Sequence, residues 1–85
     1  MTLIERQDAL VVLLQPVHAR RIQMGHGAGG WWGGTRSRLK HRHITEMIAA
    51  GYTRREAAES AQQCDDVAYL NADHEALVQQ MGGAA

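Results

Sequence analysis

Five histidines, one cysteine and nine carboxylates are the side chains of this chain that could hold a metal or move a proton. Their spacing decides which of those chemistries is open. His41 and His43 are two residues apart, which on a helix turns the rings to nearly opposite sides, so they could chelate one ion only from an extended segment. Glu46, three residues beyond His43, is the best third ligand, and a zinc site needs three or four that converge. Cys64 belongs to no nucleophile motif and is separated from His74 by nine residues. Asp65-Asp66 and Asp73-His74-Glu75 gather carboxylates, but adjacent residues on a helix diverge. The glycine-rich run GHGAGGWWGG at 25–34 lacks the preceding strand and the following Lys-Ser/Thr of a phosphate-binding loop. These spacings predict a protein that is not an enzyme and uses no metal and no cofactor. His43 then reads as a packed histidine bonded to a neighbour, and Cys64 as a small core residue.

Charge is the feature that remains. Residues 1–55 hold all nine cations and three anions, a net +6, whereas residues 56–85 hold six anions and no Lys or Arg, a net −6. The formal net charge of zero hides this split, which points to a charged partner or to docking between the chain's own halves. The densest basic cluster is Arg36, Arg38, Lys40 and Arg42, joined by Arg54 and Arg55; the acidic counterpart is Glu56, Glu59, Asp65 and Asp66. With Trp31 and Trp32 beside it, the basic cluster has the parts for stacking on and neutralising a single nucleic-acid strand. An overall charge of zero argues against a dedicated nucleic-acid binder.

Eighty-five residues make one domain with a modest core. A lone cysteine forms no internal disulfide, so a reducing compartment or support from neighbouring subunits is expected. The longest apolar run, Ala9 to Leu14, is far shorter than the roughly 20 residues that cross a bilayer. Glu5 and Asp8 stand where a secretory signal carries basic residues, so the expected location is cytoplasmic or within an assembly such as a virion. Arginine outnumbers lysine eight to one and alanine is abundant, a usage that follows GC-rich codons and fits a bacterium or its phage.

The elements that must position these side chains read as helices. Thr2 and Glu5 have capping-box spacing and open a helix at about Leu3, with Leu3, Leu10, Leu14 and Val17 on one face. Val11, Val12 and Leu13 spread the apolar surface around the circumference, so Val11, Val12, Leu13 and Leu14 are candidate apolar contacts with a partner, together with Trp31 and Trp32. Pro16 predicts a kink or break, with a second piece ending at Gly25. Six glycines in residues 25–34 predict a loop, on which the two tryptophans pack. A further helix is expected from Thr35 or Ser37 to Ala50, with Leu39, His43, Met47 and Ala50 inward and Gly51 as its stop. Thr53-Arg-Arg-Glu56 is a second capping box, opening a helix whose inner stripe is Ala57, Ala61, Cys64 and Ala68. Asn71 or Asp73 would cap a short last helix through Leu77, Val78 and Met81, before a tail at 82–85. The predicted fold is therefore all-α: four or five short helices in a small open bundle, with a Gly/Trp-rich loop after the first.

Met47 to Glu59 (MIAAGYTRREAAE) resembles the turn of a helix-turn-helix DNA-binding unit, with Gly51 in the turn, Thr53 as cap and Ala57 at the buried position. The resemblance implies that Arg54 and Arg55 face bases in the major groove. Ser60 departs from it, standing where the family has an apolar residue. The stretch is also similar to the Gly-aromatic turn of ubiquitin-associated three-helix domains, through Gly51-Tyr52, Ala57 and Val67, over about 20 residues. From the residues themselves, the expected function is a non-catalytic protein-interaction or assembly module that binds a protein partner or itself. A phage-particle component or a phage-encoded inhibitor matches the size and composition; the alternative is a nucleic-acid-binding module.

Overall fold

The computed structural model describes the backbone of residues 1–25 and 29–83 and the side chains of residues 1–25 and 34–82. It holds three helices and, among the described residues, no strand: α1 (Leu3–Met24), α2 (Gly29–Ala49) and α3 (Arg54–Gly83). The all-α class stands, with three long helices in place of four or five short ones.

Each departure from the expected boundaries has a local cause. α1 opens on the capping box, the Glu5 N–H reaching Thr2 Oγ1 at 3.1 Å and the Thr2 N–H reaching Glu5 Oε1 at 2.9 Å. It then runs unbroken through Pro16 to Gly25, whose φ of 82° and N–H bond to the Arg21 carbonyl end it. Proline removes the donor that would meet the Val12 carbonyl. Because Val12 and Pro16 are both exposed, water can satisfy that carbonyl, and packing on either side of Pro16 keeps the helix whole. α2 begins at Gly29, so part of the glycine-rich run is helical after all. Once Thr35–Ala49 supplies the nucleus, extension fixes one residue at a time, at about 1 kcal/mol per glycine relative to alanine. Packing of Trp31 and Trp32 concerns side chains outside the described residues.

Gly51, at φ 105°, turns the chain between α2 and α3, and Thr53 and Glu56 close the second capping box at 2.9 and 3.1 Å. The expected stop near Asn71 or Asp73 does not occur. Neither residue caps a helix, because Ala68 and Ala72 are buried on the bundle and hold the intervening backbone helical; Asn71 instead donates to Gln15 Oε1. α3 is thus one rod of 30 residues, about 45 Å long.

Paired residues set the directions. Gln7 meets Ser60 and Gln15 meets Asn71 and Glu75, so α1 and α3 run parallel. His43 meets Ser60, Lys40 meets Gln62, and Arg36 reaches Asp65, so α2 runs antiparallel to α3. Leu10 and Leu14 pack on Ala61, Cys64 and Ala68, with Val11, Leu39 and Ile44 around them. The alanine stripe is buried as expected and extends to Ala72, whereas Ala50 is exposed. Small side chains on α3 leave room for the leucines of α1 to approach closely.

Candidate interaction surfaces

The centre of the bundle is polar. Asp65, 5 % exposed, accepts from His18 Nε2 at 2.7 Å and from Lys40 Nζ at 3.4 Å, with Arg36 Nε 3.9 Å away. His18 is itself buried, and its Nδ1 takes Arg21 Nη1 at 3.3 Å, so the two bonds fix the Nε2–H tautomer. The Tyr69 ring meets His18 edge-on, with centroids 5.5 Å apart. Burial by itself would push the Asp65 carboxyl up, but the His18 bond and the Lys40 and Arg36 charges together hold it below its ordinary value. Arg36 Nε is buried with no hydrogen-bond partner among the described residues, held near Asp65 by charge alone. These groups line a cleft of about 470 Å³ that Gln62, Asp66 and Leu70 complete. Part of the basic half and part of the acidic half therefore meet inside one molecule. Asp65, Arg36 and Lys40, expected to be partner contacts, are internal ion-pair partners.

A second buried group lies one to two turns away. Gln7 Nε2 donates to Ser60 Oγ at 3.1 Å, and Ser60 Oγ lies 3.0 Å from His43 Nε2. Burial lowers the His43 pKa, with Arg6 adding to that and Glu46 opposing it. A neutral ring with Nε2 as acceptor takes the Ser60 hydroxyl proton, which bears out His43 as a packed, bonded histidine. Cys64 donates weakly to the Gln7 carbonyl at 3.6 Å, and burial raises its thiol pKa, so it is a protonated core residue. Ser60, a departure from the helix-turn-helix pattern, is here the bridge among all three helices.

The remaining expected contacts lie outside. On α1, Leu14 is fully buried and Val11 half-buried, whereas Val12 and Leu13 are exposed. Arg38, Arg42, Arg54, Arg55, Glu56, Glu59 and Asp66 are exposed, with Arg42 paired to Glu46 and Arg55 to Glu59 at helical i,i+4 spacing. The surface that sequence reading missed is on α3. This helix buries Ala57, Ala61, Cys64, Ala68 and Ala72, and turns Val67, Leu70, Leu77, Val78 and Met81 outward at 45 to 76 % exposure. Val67, Leu70, His74, Leu77 and Met81 alternate by three and four residues, the spacing of a coiled-coil seam. That 3-4 spacing was the available signal; splitting the segment into two helices hid it.

The chain matches no protein-family model, no curated protein and no solved structure. Across the α2–α3 corner, His43 meets Ser60, Lys40 meets Gln62 and Arg36 reaches Asp65, and Ser60, the departure from the helix-turn-helix pattern, is buried. Among the described residues, no three His, Cys, Asp or Glu side chains gather as a metal site. No helix among them is long and apolar enough to cross a membrane.

Proposed function

We propose that this protein is a non-catalytic helical assembly module that binds another protein through apolar side chains turned outward on α1 and α3. One observation carries the reading: α3 buries its small residues and exposes its large ones. Full burial of a Val, Leu or Met side chain is worth about 1.5–3 kcal/mol, a gain that only a second surface can supply for Val67, Leu70, Leu77 and Met81. Contiguous exposed apolar faces on small proteins mark such contacts. A phage-particle component and a phage-encoded inhibitor both require a surface of this kind. The nucleic-acid alternative loses support from the ion pairs, since Arg36 and Lys40 are turned onto Asp65, and Arg42 and Arg55 onto glutamates.

The test is isolation of the tagged chain from cells that naturally make it, followed by mass measurement of the intact complex. A complex of defined mass is expected, lost in Val12→Asp or in Leu70→Asp/Leu77→Asp while helicity by circular dichroism is unchanged. A wild-type chain recovered as a partnerless monomer would refute the reading. So would co-purified nucleic acid that Arg38→Glu removes.

A further inference from the structure

The cleft at the centre of the bundle gathers more cations than its carboxylates hold. Arg21 comes from α1, Arg36 and Lys40 from α2, and all three are half-buried. Asp65 is the buried carboxylate among them; Asp66 lies on the exposed rim, where its Oδ1 accepts from the Gln62 amide at 2.9 Å. Like charges gathered away from bulk water repel, and one carboxylate offsets one of three. The distances show how thinly Asp65 is shared. His18 takes its Oδ1 at 2.7 Å, which leaves Oδ2 to Lys40 at 3.4 Å and to Arg36 at 3.9 Å. At that last separation there is an ion pair but no hydrogen bond. Arg21 donates to the neutral Nδ1 of His18 at 3.3 Å. Among the described residues, neither guanidinium of the cleft hydrogen-bonds a carboxylate.

We propose that this cleft binds an oxyanion, a phosphomonoester or a carboxylate, carried on a small apolar or aromatic body. The inference goes beyond the assembly reading and does not rest on it. A guanidinium presents its N–H groups as a planar fork that matches two oxygens of a carboxylate or phosphate. Arg36 Nε is enclosed, so the anion meets the outer N–H groups of that side chain, which is 34 % exposed. Arg21 supplies a second fork from another helix, and Lys40 adds a point charge. The cleft volume of about 470 Å³ falls within the range of small-molecule sites, about 300–1,000 Å³. Tyr69 and Leu70 bring an exposed ring and an apolar side chain to the same lining, a surface for the uncharged part of the ligand. Asp66 on the rim repels further negative charge, which disfavours a polyanion such as a nucleic-acid strand.

Phenyl phosphate, benzoate and neutral benzyl alcohol test this, each titrated into the intact chain and followed by calorimetry and by the arginine side-chain signals in proton–nitrogen NMR. At least one of the two anions should saturate a single site. It should bind at least about tenfold more tightly than benzyl alcohol, equivalent to about 1.4 kcal/mol, and shift the Arg21 and Arg36 signals. The tighter anion identifies the source, phenyl phosphate for a phosphomonoester and benzoate for a carboxylate. Arg21→Gln and Arg36→Gln should each weaken it about tenfold, whereas Arg54→Gln, at the exposed start of α3, should leave it unchanged. If a variant loses its helical circular dichroism, the wild-type Arg21 and Arg36 shifts decide. Affinity for both anions no greater than for benzyl alcohol would overturn the proposal. So would binding that leaves the Arg21 and Arg36 signals in place, or an equal loss in Arg54→Gln, which would show attraction to cations at large.

Discussion

Asp65 is held by His18, Lys40 and Arg36, and the sign of its response to acid follows from those partners. Its folded pKa lies below the ordinary carboxylate value of roughly 3.9, so its contribution to stability is complete above that value. The contribution is lost as pH falls through the lower folded value, where the unfolded chain already binds the proton. Asp65→Ala leaves two cations and a buried imidazole without their acceptor, and should cost about 3 kcal/mol in urea unfolding at neutral pH. A variant as stable as wild type would mean that water serves those groups equally well. His43 has the opposite charge type with the same sign of linkage. Its pKa is lowered by burial, so its stabilising effect is full above its ordinary value near 6.5 and declines as pH drops below it. His43→Leu should remove that decline between pH 7 and 5 while Gln7 still bonds Ser60. Parallel pH profiles for the variant and wild type would show that the ring is not the group responsible.

At the scale of elements, α1 carries a penalty that its neighbours outweigh. Pro16 interrupts the bonding of an exposed helix face, and proline in a helix interior costs about 3 kcal/mol relative to alanine. Pro16→Ala restores a donor to the Val12 carbonyl without touching the core. It should raise the urea midpoint by the equivalent of about 1–3 kcal/mol; a lowered midpoint would show that the local geometry at Pro16 is required for packing. α3 shows the reverse economy of side chains. Its alanine stripe allows α1 to approach closely and leaves its large residues facing outward, so the element that holds the bundle together is also the one that exposes the most apolar side chains.

The whole molecule is thin. Its extents are 49 × 26 × 16 Å and its radius of gyration is 14.3 Å, against about 12 Å for a compact domain of this length. An elongated shape raises surface relative to volume, and a small chain already buries little of its surface, so apolar side chains remain outside. Removing the outward stripe should expose the isolated bundle to measurement. Leu70→Asp/Leu77→Asp should scatter X-rays as a monomer with a radius of gyration close to 14.3 Å. A value near 12 Å would mean that the end of α3 folds back and that its apolar stripe is covered by the chain itself.

Local rules determined much of this protein. Capping boxes at Thr2 and Thr53, stops at Gly25 and Gly51, the alanine stripe and the packed His43 all follow from residue type and helical spacing. The charge split is likewise a property of the sequence alone. Only the tertiary structure decided where local signals compete with packing. Pro16 and the capping types Asn71 and Asp73 each favour a break worth a few kcal/mol at most. Burial of Leu14, Val17, Ala68 and Ala72 on neighbouring helices outweighs them. His18 meets Asp65 across 47 residues of chain, and Ser60 joins Gln7 to His43. No spacing rule reaches that far, because such partners are chosen by how three helices lie against one another. The inward turn of Arg36 and Lys40 has the same origin: a buried carboxylate attracts whichever cations the packing brings within reach.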